Sequence, residues 1–405
     1  MSRRPFGPSP DLHMSPPTVL LSAGEASSDM YAAQLATALG ARRQARLFGM
    51  GGKRMAEAGV ELVADYREVS VVGITEVLHK IPAVIGVQRR LAREAVERRA
   101  ALGILVDSPG THLGVARRLN NAGIPVGYFI GPQLWAWRPG RIRVVRRLVK
   151  RMVVIFPFEE KIYRDAGVTV DFVGHPLVDL AYPSRSKEEF AAQNGMDLKR
   201  PIVALLPGSR PSEIARNFPP ILEACLRLAK GTARIPGIQF VHAAAPGIRR
   251  EFWSAYERPA IPLQRVEGAT YDVLHVADCA VVASGTATVE AALLGTPMIV
   301  VYRVAPITAL VLRRLLRTPA VGMVNLIAGR LVAPELIQDE FRPEAVEREV
   351  RRLLGSTSAR REAQAGLANV RARLGSGGAI ERAADIFDTM LSAGGSDRPP
   401  ETAGG

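Results

Sequence analysis

Two strand-to-helix turns in the second half of the chain carry residue types suited to holding an anion. ASGTATVEAALLGTP follows the apolar run Cys279 to Ala283 and places Ser284, Gly285, Thr286, Ala287 and Thr288 where a helix opens. The start of a helix has unpaired backbone N–H groups and a partial positive charge. Small residues there admit a phosphate, and hydroxyls add donors. Glu290, one to two turns further on, stands where a carboxylate accepts a ribose diol. The pattern reads as a nucleoside-diphosphate seat; the alternative is an ordinary turn capped by Ser or Thr. LLPGSRPSEI repeats the arrangement: Pro207 and Gly208 turn, Ser209 caps, and Arg210 offers a guanidinium to a phosphate. Ligands of open parallel sheets bind at the carboxyl ends of strands, so both turns are expected to face one crevice. Neither a P-loop lysine motif nor a complete GxGxxG after a strand is present, which argues against a P-loop ATPase and a standard dinucleotide enzyme.

Carboxylates supply the acid–base chemistry. ALGILVDSPG puts Asp107 at the end of an apolar strand, facing the crevice, where it can take a proton from an attacking hydroxyl or cap the next helix. SAGEASSD places Glu25 and Asp29 at the first strand-to-helix turn, with helix capping the better reading for Asp29. GPQLWAWRPGR sets Trp135, Trp137 and Arg138 on a loop, as packing or as a substrate platform. His175, in FVGHPLVD, lies near the expected hinge and is either structural or part of a site. Val69 to Gly86 is apolar, as a core helix or as a surface that dips into lipid beside Arg89 and Arg90. Arg138 to Arg151 holds seven cations and no acid; as a helix it is amphipathic, with Ile142, Val145 and Leu148 on one stripe.

These groups need a scaffold, and the apolar runs describe it. TVLLSAG, RLFGMGG, ALGILVD, IPVGYFIG and RMVVIFPF alternate with helical stretches; PIVALLPGSR, IQFVHAAAP, DCAVVAS and PMIVVYRV do so again. Alternation of this kind predicts parallel, doubly wound α/β sheets. A chain of 405 residues, 47% hydrophobic, is sized for two domains. The polar stretch from 181 to 201 is the expected boundary, and the chain is helical and charged after about 343. No apolar run reaches the length of a membrane span, and no secretory signal is visible; Met14 is an alternative start to Met1. Cys225 and Cys279 have no metal-ligand spacing and read as buried thiols of a reducing cytosol. A net charge of +14 points to an anionic membrane, an anionic substrate or nucleic acid. Nucleic-acid binding leaves the paired turns and the carboxylates without a purpose, so no nucleic-acid partner is expected.

Taken in order, SAGEASSD, GMGG, VSVVGITEVL, DSP, WAWRPGR, FPFE, FVGHPLVD, LLPGSRPSEI, ASGTATVEAALLGTPMIVVYRV and NLIAGRLVAPELIQ resemble the lipid-A-disaccharide synthases across about 18 to 385. The resemblance implies a GT-B fold of two Rossmann-like domains facing an interdomain cleft. The implied organisation is a disordered leader at 1–17, an acceptor and lipid-side domain at 18–180, and a UDP-sugar-binding domain at 181–365. A C-terminal helix at 366–391 would pack back on the N-terminal domain or on a partner, with a disordered tail at 392–405. It implies transfer of 2,3-diacylglucosamine from its UDP conjugate to 2,3-diacylglucosamine 1-phosphate, with inversion and without a metal or cofactor. The place implied is the cytosolic face of the inner membrane, peripherally bound, as a homodimer. Asp107 matches the family's acidic position and is expected to be the base, with Glu25 second, as base or acceptor ligand. The donor side is expected to draw on Gly208, Ser209, Arg210, Ser284, Gly285, Thr286, Ala287, Thr288, Glu290, Asn325, Arg330 and Glu335. The acceptor and lipid side is expected to draw on Ser27, Val72, Ile74, Trp137, Arg138 and His175. Another UDP-sugar enzyme of this fold, a glycolipid transferase or an epimerase, is the alternative; a basic membrane-surface protein is a more distant one. The chain departs from the family where Gly110, Thr111 and His112 replace Asp-Phe-Asn, where Ser28 replaces Gly, and at Gln133 and Leu134.

Overall fold

The structure, a computed structural model, describes residues 16–69, 74–132, 139–229, 237–305 and 320–396. The first sheet contains β1 (Thr18–Ala23), β2 (Arg46–Gly51), β3 (Glu61–Asp65), β4 (Leu102–Val106), β5 (Val126–Phe129), β6 (Arg151–Val154) and β7 (Val170–Phe172). Their order is β3-β2-β1-β4-β5-β6-β7. The second contains β8 (Ile202–Leu206), β9 (Gln239–Ala244), β10 (Leu263–Glu267), β11 (Cys279–Ala283), β12 (Met298–Tyr302) and β13 (Glu335–Ile337), in the order β10-β9-β8-β11-β12-β13. All five pairings of this second sheet are parallel.

The central strands are apolar along their whole length because helices cover both faces of a doubly wound sheet. LGILV of β4, IVALL of β8 and CAVVA of β11 are buried at every position. In the second sheet Phe218, Ile221 and Leu222 of the helix Pro211–Ala229 pack over Val203, Leu205 and Val281. Cys225 and Cys279 lie within this core, and burial pushes the Cys279 thiol up to about 12. Four strands that the apolar runs do not predict, β3, β7, β10 and β13, are the edges of the two sheets.

In each sheet the strand order reverses beside its first strand. β2 and β3 extend to one side of β1 and β4 lies on the other; β9 and β10 extend to one side of β8 and β11 lies on the other. At such a reversal the two connections leave in opposite directions, which opens a crevice at the carboxyl ends.

By packing, the chain forms two compact units: residues up to 70 with 82–129 and 383 onward, and residues 71–81 with 130–382. The stretch 181–201 lies between β7, the last strand of the first sheet, and β8, the first of the second, and by packing it belongs to the second unit. Within that unit 173–179 is tied to 374–382: the His175 amide donates to Leu374 O at 2.9 Å, Arg382 Nη2 to Val173 O at 2.6 Å, and the Gly378 amide to Asp179 Oδ2 at 2.7 Å.

Residues 366–391, expected as one helix, belong to two, Thr357–Arg373 and Ala379–Ser396. Gly375 and Gly378, both at positive φ, break them. The second helix packs in the first unit, with Phe387 edge-on to Phe129 and Arg42 paired to Asp385 at 2.8 Å. The cationic run Arg138–Arg151, read as one amphipathic helix, is also divided. Pro139–Arg141 is a 3-10 turn and Ile142–Leu148 a helix that buries Val145. Arg151 opens β6, where Asp171 of the adjacent strand neutralises it at 2.5 Å.

Candidate functional site

Glu25 and Asp107 follow β1 and β4, the pair of strands that flank the reversal in the first sheet, with Ala23 in register with Val106. Their turns abut so closely that a Cβ on Gly24 would stand 2.3 Å from Ser108 Oγ. Glycine is therefore required there by approach. Glu25 is the N-cap of the helix Ala26–Arg43, and its amide donates to Ser28 Oγ at 2.9 Å. Ser28, a departure from the family pattern, thus closes this cap. Ser27 is half-buried beside it. Asp29 caps a different helix from its own: it accepts the Gly52 amide at 2.6 Å and the Arg54 amide at 3.2 Å, at the start of Lys53–Glu57.

Asp107 and Ser108 both adopt left-handed backbone, at φ +53° and +50°. Each such residue costs about 1–2 kcal/mol outside glycine, so the turn persists only where neighbours fix it. The Asp107 amide donates to Phe129 O at 3.0 Å. Its carbonyl oxygen accepts from Tyr128 OH at 2.5 Å and from His112 Nδ1 at 2.7 Å. The side chain of Asp107 is half-buried.

In the second sheet the two turns predicted to hold an anion follow β8 and β11, with Leu206 in register with Val282. They are built alike. Each places glycine two residues past its strand, Gly208 at φ +132° and Gly285 at φ +149°. Those angles exclude a side chain with little strain, and they turn the chain outward into a helix. Ser209, Arg210, Gly285 and Thr286 are exposed, and Ala287 is half-buried. Glu213, which the sequence reading passed over, accepts the Ser209 amide at 3.3 Å and lies 3.5 Å from Arg210 Nη1. The signal for it was the Arg-x-x-Glu spacing at a helix start. Buried Asn217 ties the same turn to β12, donating to Pro207 O at 3.0 Å and accepting the Arg303 amide at 3.0 Å.

Glu290 sits on the helix Ala287–Leu293, 3.5 Å from Tyr271 OH. Burial pushes its carboxyl up to about 7, and the Tyr271 hydrogen bond pulls the other way. Several other expected donor residues shape the protein instead of facing outward. Thr288 is buried, with its hydroxyl donating to Gly285 O at 2.8 Å. Asn325 is buried; it donates to Ala333 O and Glu335 Oε1, both at 2.8 Å, and accepts the Val332 amide at 2.8 Å. Glu335 accepts the amides of Val321 and Gly322 at 2.9 Å, while Ser284 Oγ donates to Val321 O at 3.1 Å. The turn after β11 is thereby tied through Val321 to the Asn325–Glu335 pair. Arg330 is exposed.

His175 is buried, its Nδ1 accepting the Leu177 amide at 3.1 Å, and burial pushes its pKa down to about 3. It is a neutral brace for the short helix Leu177–Leu180. Ile74 opens the helix Ile74–Glu97. Val72, Gln133, Leu134, Trp135, Trp137 and Arg138 lie outside the described residues. A cavity of about 590 Å³, lined in part by Arg216, Arg303, Asp339 and Arg342, lies beside the end of β12. Among the described residues no group of three or more His, Cys, Asp or Glu side chains gathers as a metal site.

Two parallel sheets of this order, each with its turns at the strand reversal, define the GT-B architecture. Solved structures of that class superimpose over nearly the whole chain. The S. aureus MnaA–UDP co-structure matches with a TM-score of 0.65 at 11% identity, covering 93% of this chain and 97% of that one. CalG4, the calicheamicin glycosyltransferase, matches with a TM-score of 0.59 at 15% identity, covering 95% and 100%. These likenesses establish the fold. The family described as Lipid-A-disaccharide synthetase matches residues 19–384. Lipid-A-disaccharide synthase of Myxococcus xanthus is 46% identical over 94% of this chain and 99% of its own. That of Acidobacterium capsulatum is 44% identical over 93% and 97%. The chain belongs to the lipid-A-disaccharide synthetase family, glycosyltransferases of lipid A synthesis.

Proposed function

We propose that this protein transfers 2,3-diacylglucosamine from its UDP conjugate to the 6-hydroxyl of 2,3-diacylglucosamine 1-phosphate, in one inverting displacement. The acceptor oxygen attacks the anomeric carbon on the face opposite UDP. Its proton passes to Asp107, and the bond to the diphosphate breaks with its electron pair leaving on UDP. Asp107 suits the base because it stands at a strand end beside the reversal in its sheet, on backbone held from three sides. Glu25, on the adjoining turn, serves the acceptor.

The leaving diphosphate needs stabilisation as charge develops on it. Its seat is formed by Gly208, Ser209 and Arg210 with Ser284, Gly285 and Thr286, and Glu290 takes the ribose hydroxyls. The observation that carries this reading is the matched pair of glycine turns on neighbouring strands β8 and β11. Asn325 and Glu335 support the seat from behind through Val321.

The enzyme works as a peripheral protein on an anionic membrane surface. Support comes from the exposed Arg143, Arg146, Arg147 and Lys150, and from Ile81, Pro82 and Ala83 exposed on the helix Ile74–Glu97. No helix among the described residues is long and apolar enough to cross a membrane.

The test is a metal-free, detergent-supported assay with both lipid substrates, quantifying UDP and the β-1,6 disaccharide phosphate. Equal release of the two is expected. UDP binding without disaccharide leaves the donor seat standing and removes the assigned acceptor. Conversion of a UDP-sugar without any transfer turns the reading to an epimerase.

A further inference from the structure

His112 stands in the first turn of the helix Pro109–Asn121 and is completely buried. Its Nδ1 lies 2.7 Å from the Asp107 carbonyl oxygen and its Nε2 2.9 Å from Ser22 Oγ. A carbonyl only accepts, so Nδ1 carries the proton. Nε2 is then unprotonated and accepts the Ser22 hydroxyl. The same carbonyl accepts from Tyr128 OH, so both of its lone pairs are used. The His112 amide donates to Ser108 O at 3.0 Å, closing the turn on its other side. One side chain thus reaches β1 at Ser22 and the strained Asp107–Ser108 turn after β4.

We propose that His112 is a positioning residue for the transfer. Through its Nδ1–H it fixes the peptide plane after Asp107, and so the direction of the Asp107 carboxylate, while Ser22 donates its hydroxyl to the unprotonated Nε2. The inference rests on Asp107 being the base. A protonated ring would reverse the Ser22 bond, since the hydroxyl can also accept; the neutral ring keeps the hydroxyl as donor. Burial pushes the His112 pKa down to about 4, so the ring holds this form at neutral pH. The aromatic ring of Tyr128 meets the imidazole edge-on, which confines its rotation.

The geometry separates two conservative replacements. Asparagine keeps a donor at the δ position, within reach of the Asp107 carbonyl. Glutamine moves its amide outward toward Ser22 and loses that donor. Leucine fills the space and makes neither bond. In the two-substrate assay His112→Leu is expected to lower kcat about tenfold to a hundredfold, the scale of a small misplacement of a reacting group. UDP affinity and the donor KM stay unchanged. His112→Asn recovers most of the turnover and His112→Gln does not. In an Asp107→Asn background, His112→Leu has no further effect on kcat.

A second measurement reads the device without turnover. In protein labelled with ¹⁵N-histidine, His112 is expected as the Nδ1–H tautomer, neutral to below pH 5. An Nε2–H tautomer overturns the proposal. Full activity in a folded His112→Leu protein overturns it alone, while the activity reading survives. So does equal rescue by Asn and Gln, which marks a space-filling role. Wild-type protein that makes no product removes the activity reading and, with it, the part assigned to His112 in turnover.

Discussion

Glu213 accepts the Ser209 amide at 3.3 Å and lies 3.5 Å from the Arg210 guanidinium. A side-chain carboxylate therefore uses two of the donors that the proposed seat offers to a diphosphate. Arg210→Ala is expected to weaken UDP binding about tenfold to a hundredfold, the range of a lost charge-assisted hydrogen bond. Glu213→Gln keeps the shape and removes the competing charge, so UDP binding should tighten about twofold to fivefold, as for an exposed ion pair. Calorimetric titration with UDP decides both. Weaker binding by the Gln variant would mean that Glu213 orients Arg210 for the ligand.

Replacement of the proposed base separates chemistry from binding. Asp107→Asn is expected to lower turnover by roughly 10²–10⁴-fold and to leave UDP affinity nearly intact. Both are measured on the same preparation. If UDP affinity falls together with turnover, Asp107 is a structural residue of its turn.

The raised carboxyl of Glu290 gives a pH signature. Its ordinary value is 4.5 and burial pushes it up to about 7. The folded protein then holds this proton more tightly than the unfolded chain does. Its contribution to stability is greatest at low pH and is lost as pH rises from 4.5 toward 7. Melting temperatures of wild type and Glu290→Gln should diverge across that window, the variant losing less on going from pH 5 to 7.5. UDP affinity should move oppositely and rise through pH 7 as the carboxylate forms. A flat difference in both would remove Glu290 from the ribose position.

Three buried imidazoles act in the other direction. Burial pushes His112 down to about 4, and His175 and His242 to about 3, from 6.5. A depressed histidine stabilises the fold above pH 6.5, and that share is lost as pH falls toward the folded value, because the unfolded chain takes up the proton first. His242 lies between Phe218 and Trp253, with its Nε2 buried and unpartnered. His242→Phe should be neutral or stabilising at pH 7, since an unmet polar atom is removed, and its melting temperature should fall less between pH 6.5 and 4.5. A strong loss of stability at pH 7 would show that the imidazole is needed for packing.

What could be read from the chain follows burial. Strands such as β1, β4, β8 and β11 are buried on both faces, and their continuous apolar runs announce them. LQRVE of β10 and VDF of β7 have no fully buried residue, so nothing in their composition separates them from loop. Site positions at strand ends were legible because a turn into a helix has its own vocabulary of Gly, Ser, Thr and Asp. The contacts that hold those positions were not. Ser22 and His112 are 90 residues apart, and Asp29 finds its partners 23 to 26 residues away on another turn. Asn325 and Glu335 are expected on the donor side because NLIAGRLVAPELIQ resembles the family's segment there. Their atoms are committed to backbone amides and carbonyls, a use that only the folded register reveals.

The helix Ala379–Ser396 supplies Phe387, whose ring would lie 2.5 Å from a Cβ on Gly127 and meets Phe129 of the same strand in a T-shaped contact. During synthesis β5 is made about 250 residues before this helix, at the ribosomal pace of about 5–20 residues per second. The first unit must wait, with Phe129 uncovered, for the last part of the chain to emerge. Most of the second unit, residues 130 to 378, is made in the interval. A message truncated before codon 379 would yield a protein in which β5 keeps Phe129 without its Phe387 cover and Val173 loses the Arg382 guanidinium.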